Sequence, residues 1–73
     1  MSDEGRYLIF LTEQYALAHG IDGSRAMRIF LDHDLLDYIR DMYDTYHTER
    51  VENAIADLDA TIMAAMDGQE IPR

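Results

Sequence analysis

The chain contains no cysteine and no tryptophan, and it has one proline and four glycines among 73 residues. Without cysteine, neither a disulfide nor a thiolate metal site can support the fold. The longest apolar run, residues 7–11, falls far short of the roughly 18 residues that a membrane-spanning helix needs. A chain of 73 residues buries only a small core, and this one has no disulfide or thiolate metal site to support that core. It must be stabilised by efficient packing of its helices or by a partner.

Lysine is absent as well. All six basic residues are Arg, and fifteen acidic residues bring the net charge to −9. Phosphate groups repel such a surface, so we expect no binding to DNA, RNA or anionic lipid. The charge favours either simple solubility or a basic protein partner. The first residues, 1–4, are acidic where a secretion signal would be basic, so we expect a cytoplasmic protein.

Hydrophobic periodicity predicts an all-α fold, a small bundle of about four helices, in one domain at residues 1–68 followed by a loose tail at 69–73. The first helix is predicted to begin after a Ser2 cap and to end near Ala18, before Gly20. Its predicted apolar side consists of Tyr7, Leu8, Leu11, Tyr15 and Ala18, widened by Phe10, Ala16 and Leu17.

The second predicted helix begins after a Ser24 cap, with Asp22 as the alternative cap, and includes Phe30. The third extends from a cap at Asp34 to Thr48, and these middle two helices form a corner that resembles a helix-turn-helix. A DNA-reading corner needs a basic second helix. The acidic third helix therefore argues against DNA recognition.

Two opposite faces are predicted for the third helix. Its apolar face consists of Leu35, Ile39, Met42 and Tyr46. Its acidic face consists of Asp37, Asp41 and Asp44. Tyr38 and Tyr43 lie off the apolar face, where a tyrosine either packs at the margin of the core or stays exposed for protein contact.

The fourth predicted helix follows a Thr48 cap. Its apolar face consists of Val51, Ile55, Leu58, Ile62 and Ala65. Glu52, Asp57 and Asp59 lie off that face. The apolar face either packs on its own domain or docks a partner, which includes a second copy of the chain.

No residue set in the sequence indicates catalysis. His19, His33 and His47 lie fourteen residues apart, and the His33–Asp37 pair would hold a cation only weakly. The serines, Ser2 and Ser24, fit helix caps better than nucleophiles. A bundle this small is also expected to lack a substrate pocket. We therefore expect no enzymatic activity, no metal and no cofactor.

Several short segments resemble a family of short bacterial proteins of unknown function. They are Ile9–Ala16, Gly20 and Ile21 with Ser24, Ala26 and Phe30, then Leu36–Ile39, and Tyr46–Thr48. The resemblance covers residues 7–62, and it departs from the family at His33 and Asp34, where an aromatic residue and a glycine are more usual. Members are often encoded beside proteins that look like ADP-ribosyltransferase toxins. The resemblance therefore implies an antitoxin or immunity-type partner, and it supplies no catalytic residues.

Two functions follow as expectations. The first is an antitoxin whose acidic face, with Tyr38 and Tyr43, fills the cationic NAD cleft of a toxin, the carboxylates standing where phosphates would bind. The rival contact surface is the face of the last helix that contains Val51, Ile55, Leu58 and Ile62. The second function is a scaffold protein that forms a homodimer through this last helix.

Overall fold

The computed structural model describes residues 2–66, which form five helices. These are α1 (Asp3–His19), α2 (Gly23–Asp32), α3 (Leu36–Asp41), α4 (Tyr43–Tyr46) and α5 (Val51–Met66). The expected all-α architecture is confirmed. There is one helix more than predicted because the third predicted helix is divided. The predicted domain limit at residue 68 and the tail at 69–73 lie outside the described residues.

Helix α1 begins and ends where its sequence predicts. The Ser2 hydroxyl accepts a hydrogen bond from the Gly5 backbone N–H at 3.0 Å. The acidic side chains of the first turn, Asp3 and Glu4, interact favourably with the positive end of the helix dipole. At the other end Gly20 adopts φ 66°, and the Ile21 N–H donates to the Ala16 carbonyl. This is a Schellman ending, which needs a left-handed residue and so favours glycine.

Helix α2 is capped by Asp22, so the prediction of a Ser24 cap is wrong and the alternative is confirmed. An Asp22 carboxylate oxygen accepts from the Arg25 N–H at 2.8 Å and from the Ser24 hydroxyl at 3.0 Å. The backbone hydrogen bond from Arg25, more than any other interaction, lowers the pKa of Asp22 below its ordinary value.

The prediction that Asp34 caps the third helix is wrong. Asp34 instead adopts φ 55° and ends α2, with the Leu35 N–H donating to the Phe30 carbonyl at 2.8 Å. It therefore occupies the left-handed position of a second Schellman ending, a position that favours glycine. Aspartate is among the few other residues that tolerate this conformation. Helix α3 then begins at Leu36 without a side-chain cap.

The continuous helix predicted at 34–48 is interrupted at Met42, whose φ of −89° and ψ of 0° separate α3 from α4. Aspartate, tyrosine and threonine dominate this segment and are weak helix formers, so local propensity does not sustain one long helix. The predicted Thr48 cap of α5 is also wrong. Its hydroxyl donates back to the Thr45 carbonyl at 2.9 Å, and α5 begins only at Val51.

The core draws side chains from every helix, with α1 in contact with α2, α3 and α5, and α4 in contact with α5. Its buried apolar residues are Leu11, Tyr15, Ala16, Ala26, Phe30, Leu35, Ile39, Tyr46, Ala54, Leu58 and Ile62. Phe10, Leu17 and Ala18 are exposed, so the apolar side of α1 is narrower than predicted. Within residues 2–66, no helix is both long and apolar enough to cross a membrane.

Candidate protein-binding surface

Three aspartates of α3 and α4, namely Asp37, Asp41 and Asp44, are exposed to solvent, and we refer to them together as the acidic face. Asp37 accepts a hydrogen bond from Arg40 at 2.5 Å, but both side chains are at least two-thirds exposed, so the pair contributes little stability. Asp41 and Asp44 form no hydrogen bond or ion pair with another residue of the described chain. These two carboxylates are therefore available to a partner.

Tyr38 turns toward α5 and packs at the margin of the core, which is one of the two alternatives predicted for it. Its hydroxyl donates to a carboxylate oxygen of Asp57 at 2.6 Å, and the Tyr46 hydroxyl donates to the same oxygen at 2.5 Å. Burial, followed by the hydrogen bond to Asp57, raises the pKa of Tyr46 above its ordinary value. Asp57 thus links α3 and α4 to α5, and the Tyr38 hydroxyl is not free for a partner.

A second carboxylate of α5 links that helix to α1. Asp59 accepts from the Tyr15 hydroxyl at 2.7 Å, and its other oxygen lies 3.0 Å from Nε2 of His19. The His19 ring also stacks on the Tyr15 ring, with centroids 4.3 Å apart. Burial, and then the hydrogen bond to Asp59, raises the pKa of Tyr15. Asp57 and Asp59, predicted to lie off the packing face, therefore hold the bundle together.

Tyr43, the other predicted flanking tyrosine, is half-buried against α1. Its ring meets the Tyr7 ring edge-on, with centroids 5.7 Å apart. The Tyr7 hydroxyl is buried, and within the described chain it has no hydrogen-bond partner. Partial burial and the nearby carboxylates Asp3, Glu4 and Asp44, in that order, raise the pKa of Tyr43. The N-terminal turn of α1 thus lies close to the acidic face.

An open groove of about 520 Å³ lies between the start of α1 and the α3–α4 segment. Its apolar lining consists of Tyr7, Leu8, Leu36, Ile39 and Tyr43, and its polar lining of Ser2, Glu4 and Arg40. Because the groove is open to solvent, the expectation that the bundle lacks a substrate pocket stays a prediction. Sequence periodicity did not reveal the groove, because the groove depends on how two helices that are distant in the sequence cross each other.

The predicted contact face of the last helix lies largely inside the bundle. Leu58 is fully buried, Ile62 is 8% exposed, and Val51 and Ile55 are half-buried. These side chains pack against the other helices of the chain. Of the two predicted alternatives, packing on its own domain or docking a partner, the structure shows the first. The outer side of α5 is instead lined with small or flexible apolar residues, namely Ala56, Ala60, Met63 and Ala64.

No metal centre is assembled among the described residues. Within residues 2–66, no three histidine, aspartate or glutamate side chains come together in a way that could hold an ion. His33 and Asp37, the nearest approach to a metal pair in the sequence, therefore gain no third ligand from the fold.

Comparison with known proteins gives one match, to the family model DUF3791, described as a protein of unknown function, over residues 6–64. The chain belongs to the DUF3791 family. No curated protein and no solved structure matches it. The match agrees with the extent of the resemblance drawn from the sequence. The DUF3791 domain includes the acidic face, both α5 carboxylates and most residues of the groove, but not Ser2 and Glu4.

Proposed function

We propose that this DUF3791 protein is a non-catalytic protein-binding module, and specifically an antitoxin that neutralises an ADP-ribosyltransferase-like toxin by covering its cleft. One observation carries the proposal. Asp41 and Asp44 are exposed and unengaged within the described chain, whereas Asp57 and Asp59 are used to hold the bundle together. Exposed carboxylates without a partner in the described chain would favour recognition of a basic surface.

A cleft that binds NAD is expected to present cations to the pyrophosphate of the dinucleotide. Asp37, Asp41 and Asp44 would occupy positions near these cations, and Tyr43 at the edge of the face would add apolar contact area. Attraction between the acidic face and a cationic cleft speeds encounter and selects the partner. The chain would thereby exclude NAD without any chemistry of its own.

The proposal is tested by co-expressing the chain with the product of its neighbouring gene and measuring growth and complex formation. We expect the chain to rescue growth and to co-elute with the neighbouring protein in size exclusion. Reversing two charges, in Asp41→Arg with Asp44→Arg, should abolish both effects, because attraction to a basic partner becomes repulsion. The double variant should still fold, because neither side chain supports the fold. Asp32→Arg with Glu13→Arg is the matched control, since it changes the net charge equally at exposed positions on other helices. Equal rescue by both double variants would rule out the acidic face.

The second candidate function is a scaffold that dimerises through the last helix. It is favoured by the outer side of α5, where Met63 is 63% exposed and Ala56, Ala60 and Ala64 permit close approach of a second helix. A scaffold should elute as a dimer on its own, and Ala60→Glu should convert it to a monomer. An antitoxin should instead gain stability when its partner is added.

A further inference from the structure

The groove between α1 and the α3–α4 segment combines an apolar lining with an acidic surround. Leu8 and Leu36 are only half-buried, so part of their apolar surface remains open to a ligand. The volume of about 520 Å³ lies within the range of roughly 300–1,000 Å³ typical of ligand pockets. It is large enough to receive a bulky apolar side chain from another molecule.

Carboxylates surround this groove on several sides. Glu4 lines it directly, and Asp3 and Asp44 lie close enough to the lining residue Tyr43 to act on it electrostatically. Glu49 acts in the same way on Tyr7. The one basic residue in the lining, Arg40, is paired with Asp37. An occupant would therefore meet an apolar floor inside a negative rim.

We propose that this groove is the docking site for a basic amphipathic segment of a partner protein, which inserts a leucine, isoleucine or phenylalanine between α1 and α3. Lysines or arginines that flank the inserted residue would lie against the carboxylates of the rim. This inference rests on the proposed function in one respect, since it takes the partner to be a basic protein. It adds where the partner is anchored and which side chain anchors it.

Charge decides among the possible occupants. A second copy of the chain has a net charge of −9 and would bring its own acids to the rim, so it is repelled. Anionic small molecules and nucleic acids are excluded for the same reason. A basic segment gains both apolar burial and charge pairing, and buried anchors of this kind usually dominate binding energy at interfaces.

Synthetic peptides test the groove directly. The probe is a helical peptide with leucines four positions apart and arginines on both sides of them. One control peptide replaces the leucines with serine, and another replaces the arginines with glutamate. We expect the probe to shift NMR resonances of the full chain at residues 4–8 and 36–43, and each control to bind about tenfold more weakly or worse. Equal binding of the serine peptide, or shifts confined to other parts of the chain, would overturn the proposal.

A pair of leucine variants provides the matched comparison. Leu36→Ser removes apolar lining from the groove and should weaken binding of the probe about tenfold. Leu31→Ser should leave it unchanged, because Leu31 is 54% exposed on α2 and lies outside the groove. If Leu36→Ser does not fold, the resonance map of the native chain still decides. Equal affinities of two folded variants would contradict the proposal.

Failure of this inference can be told apart from failure of the proposed function. If the neighbouring protein forms a complex that depends on Asp41 and Asp44, but the probe does not map to the groove, only the docking proposal is wrong. If the probe occupies the groove but the neighbouring protein forms no complex, the antitoxin proposal is wrong, and the groove remains a site for basic segments.

Discussion

Replacement of Asp57 by alanine should destabilise the protein far more than replacement of Asp44, an exposed aspartate whose side chain forms no hydrogen bond within the described chain. Asp57 accepts hydrogen bonds from both Tyr38 and Tyr46 through one oxygen, so its removal leaves two tyrosine hydroxyls without their acceptor. Tyr46 is 2% exposed and cannot recover the bond from water, whereas the half-buried Tyr38 regains part of it. The loss therefore falls mainly on one buried hydroxyl.

The expected size follows from that geometry. A hydrogen bond to a charged group contributes about 1.5–3 kcal/mol, and a buried hydroxyl left unpaired costs about 1–3 kcal/mol. Because Asp57 is itself half-buried, the lower end of the sum of these two ranges applies, and we expect a loss of about 2.5–3 kcal/mol. In a domain of this size such a loss lowers Tm by on the order of 10–20 °C.

Urea and thermal unfolding followed by circular dichroism would measure this loss. Asp44→Ala is the matched control, because it removes the same carboxylate and the same charge from an exposed position, and it should change stability by no more than about 0.5 kcal/mol. Asp57→Asn keeps an acceptor oxygen and should fall between the two. If Asp57→Ala and Asp44→Ala unfold at the same urea concentration, the assigned role of Asp57 is wrong.

Three further predictions concern stability. Tyr46→Phe should lower the free energy of unfolding by about 1–2 kcal/mol, because it removes a hydroxyl that is hydrogen-bonded to a carboxylate of α5. Tyr7→Phe should leave the free energy of unfolding unchanged or raise it, because the Tyr7 hydroxyl is unpaired within the described chain. Urea unfolding compares the two variants. By the same assay, Gly20→Ala should cost about 1 kcal/mol at φ 66°, while Gly23→Ala, with no atom within 4 Å of the added methyl group, should be neutral or slightly stabilising. Burial raises the pKa of Tyr15 and Tyr46, so above about pH 10 the unfolded chain loses these protons first and stability should fall by up to about 1.4 kcal/mol per pH unit for each. A stability that stays constant between pH 9 and 11 in urea titrations would contradict this last prediction.

Local features of the fold could be predicted from the sequence because each depends on neighbouring residues. The Ser2 cap and the Gly20 ending of α1 are of this kind, as is the buried face that contains Leu35 and Ile39. Asp34 was misassigned because aspartate suits both an N-cap and a left-handed C-terminal position, and only the path of the chain decides between them.

The long-range polar contacts could not be predicted. Periodicity places Asp57 and Asp59 off the packing face of α5, yet buried tyrosine hydroxyls need acceptors. Asp59 finds its donor Tyr15 44 residues away in the sequence, and Asp57 finds Tyr38 19 residues away. The exposure of the acidic face was anticipated from its spacing, but the groove beside it depends on the crossing of α1 and α3.

The most direct test of the proposed function is whether this protein competes with NAD for the proposed partner, an ADP-ribosyltransferase-like product of the neighbouring gene. Binding of NAD to the purified neighbouring protein would be titrated with and without a saturating amount of the chain. Occlusion of the cleft predicts that NAD affinity falls sharply in the complex and is restored by Asp41→Arg with Asp44→Arg. An unchanged NAD affinity in a demonstrated complex would contradict the claim that the acidic face covers the cleft.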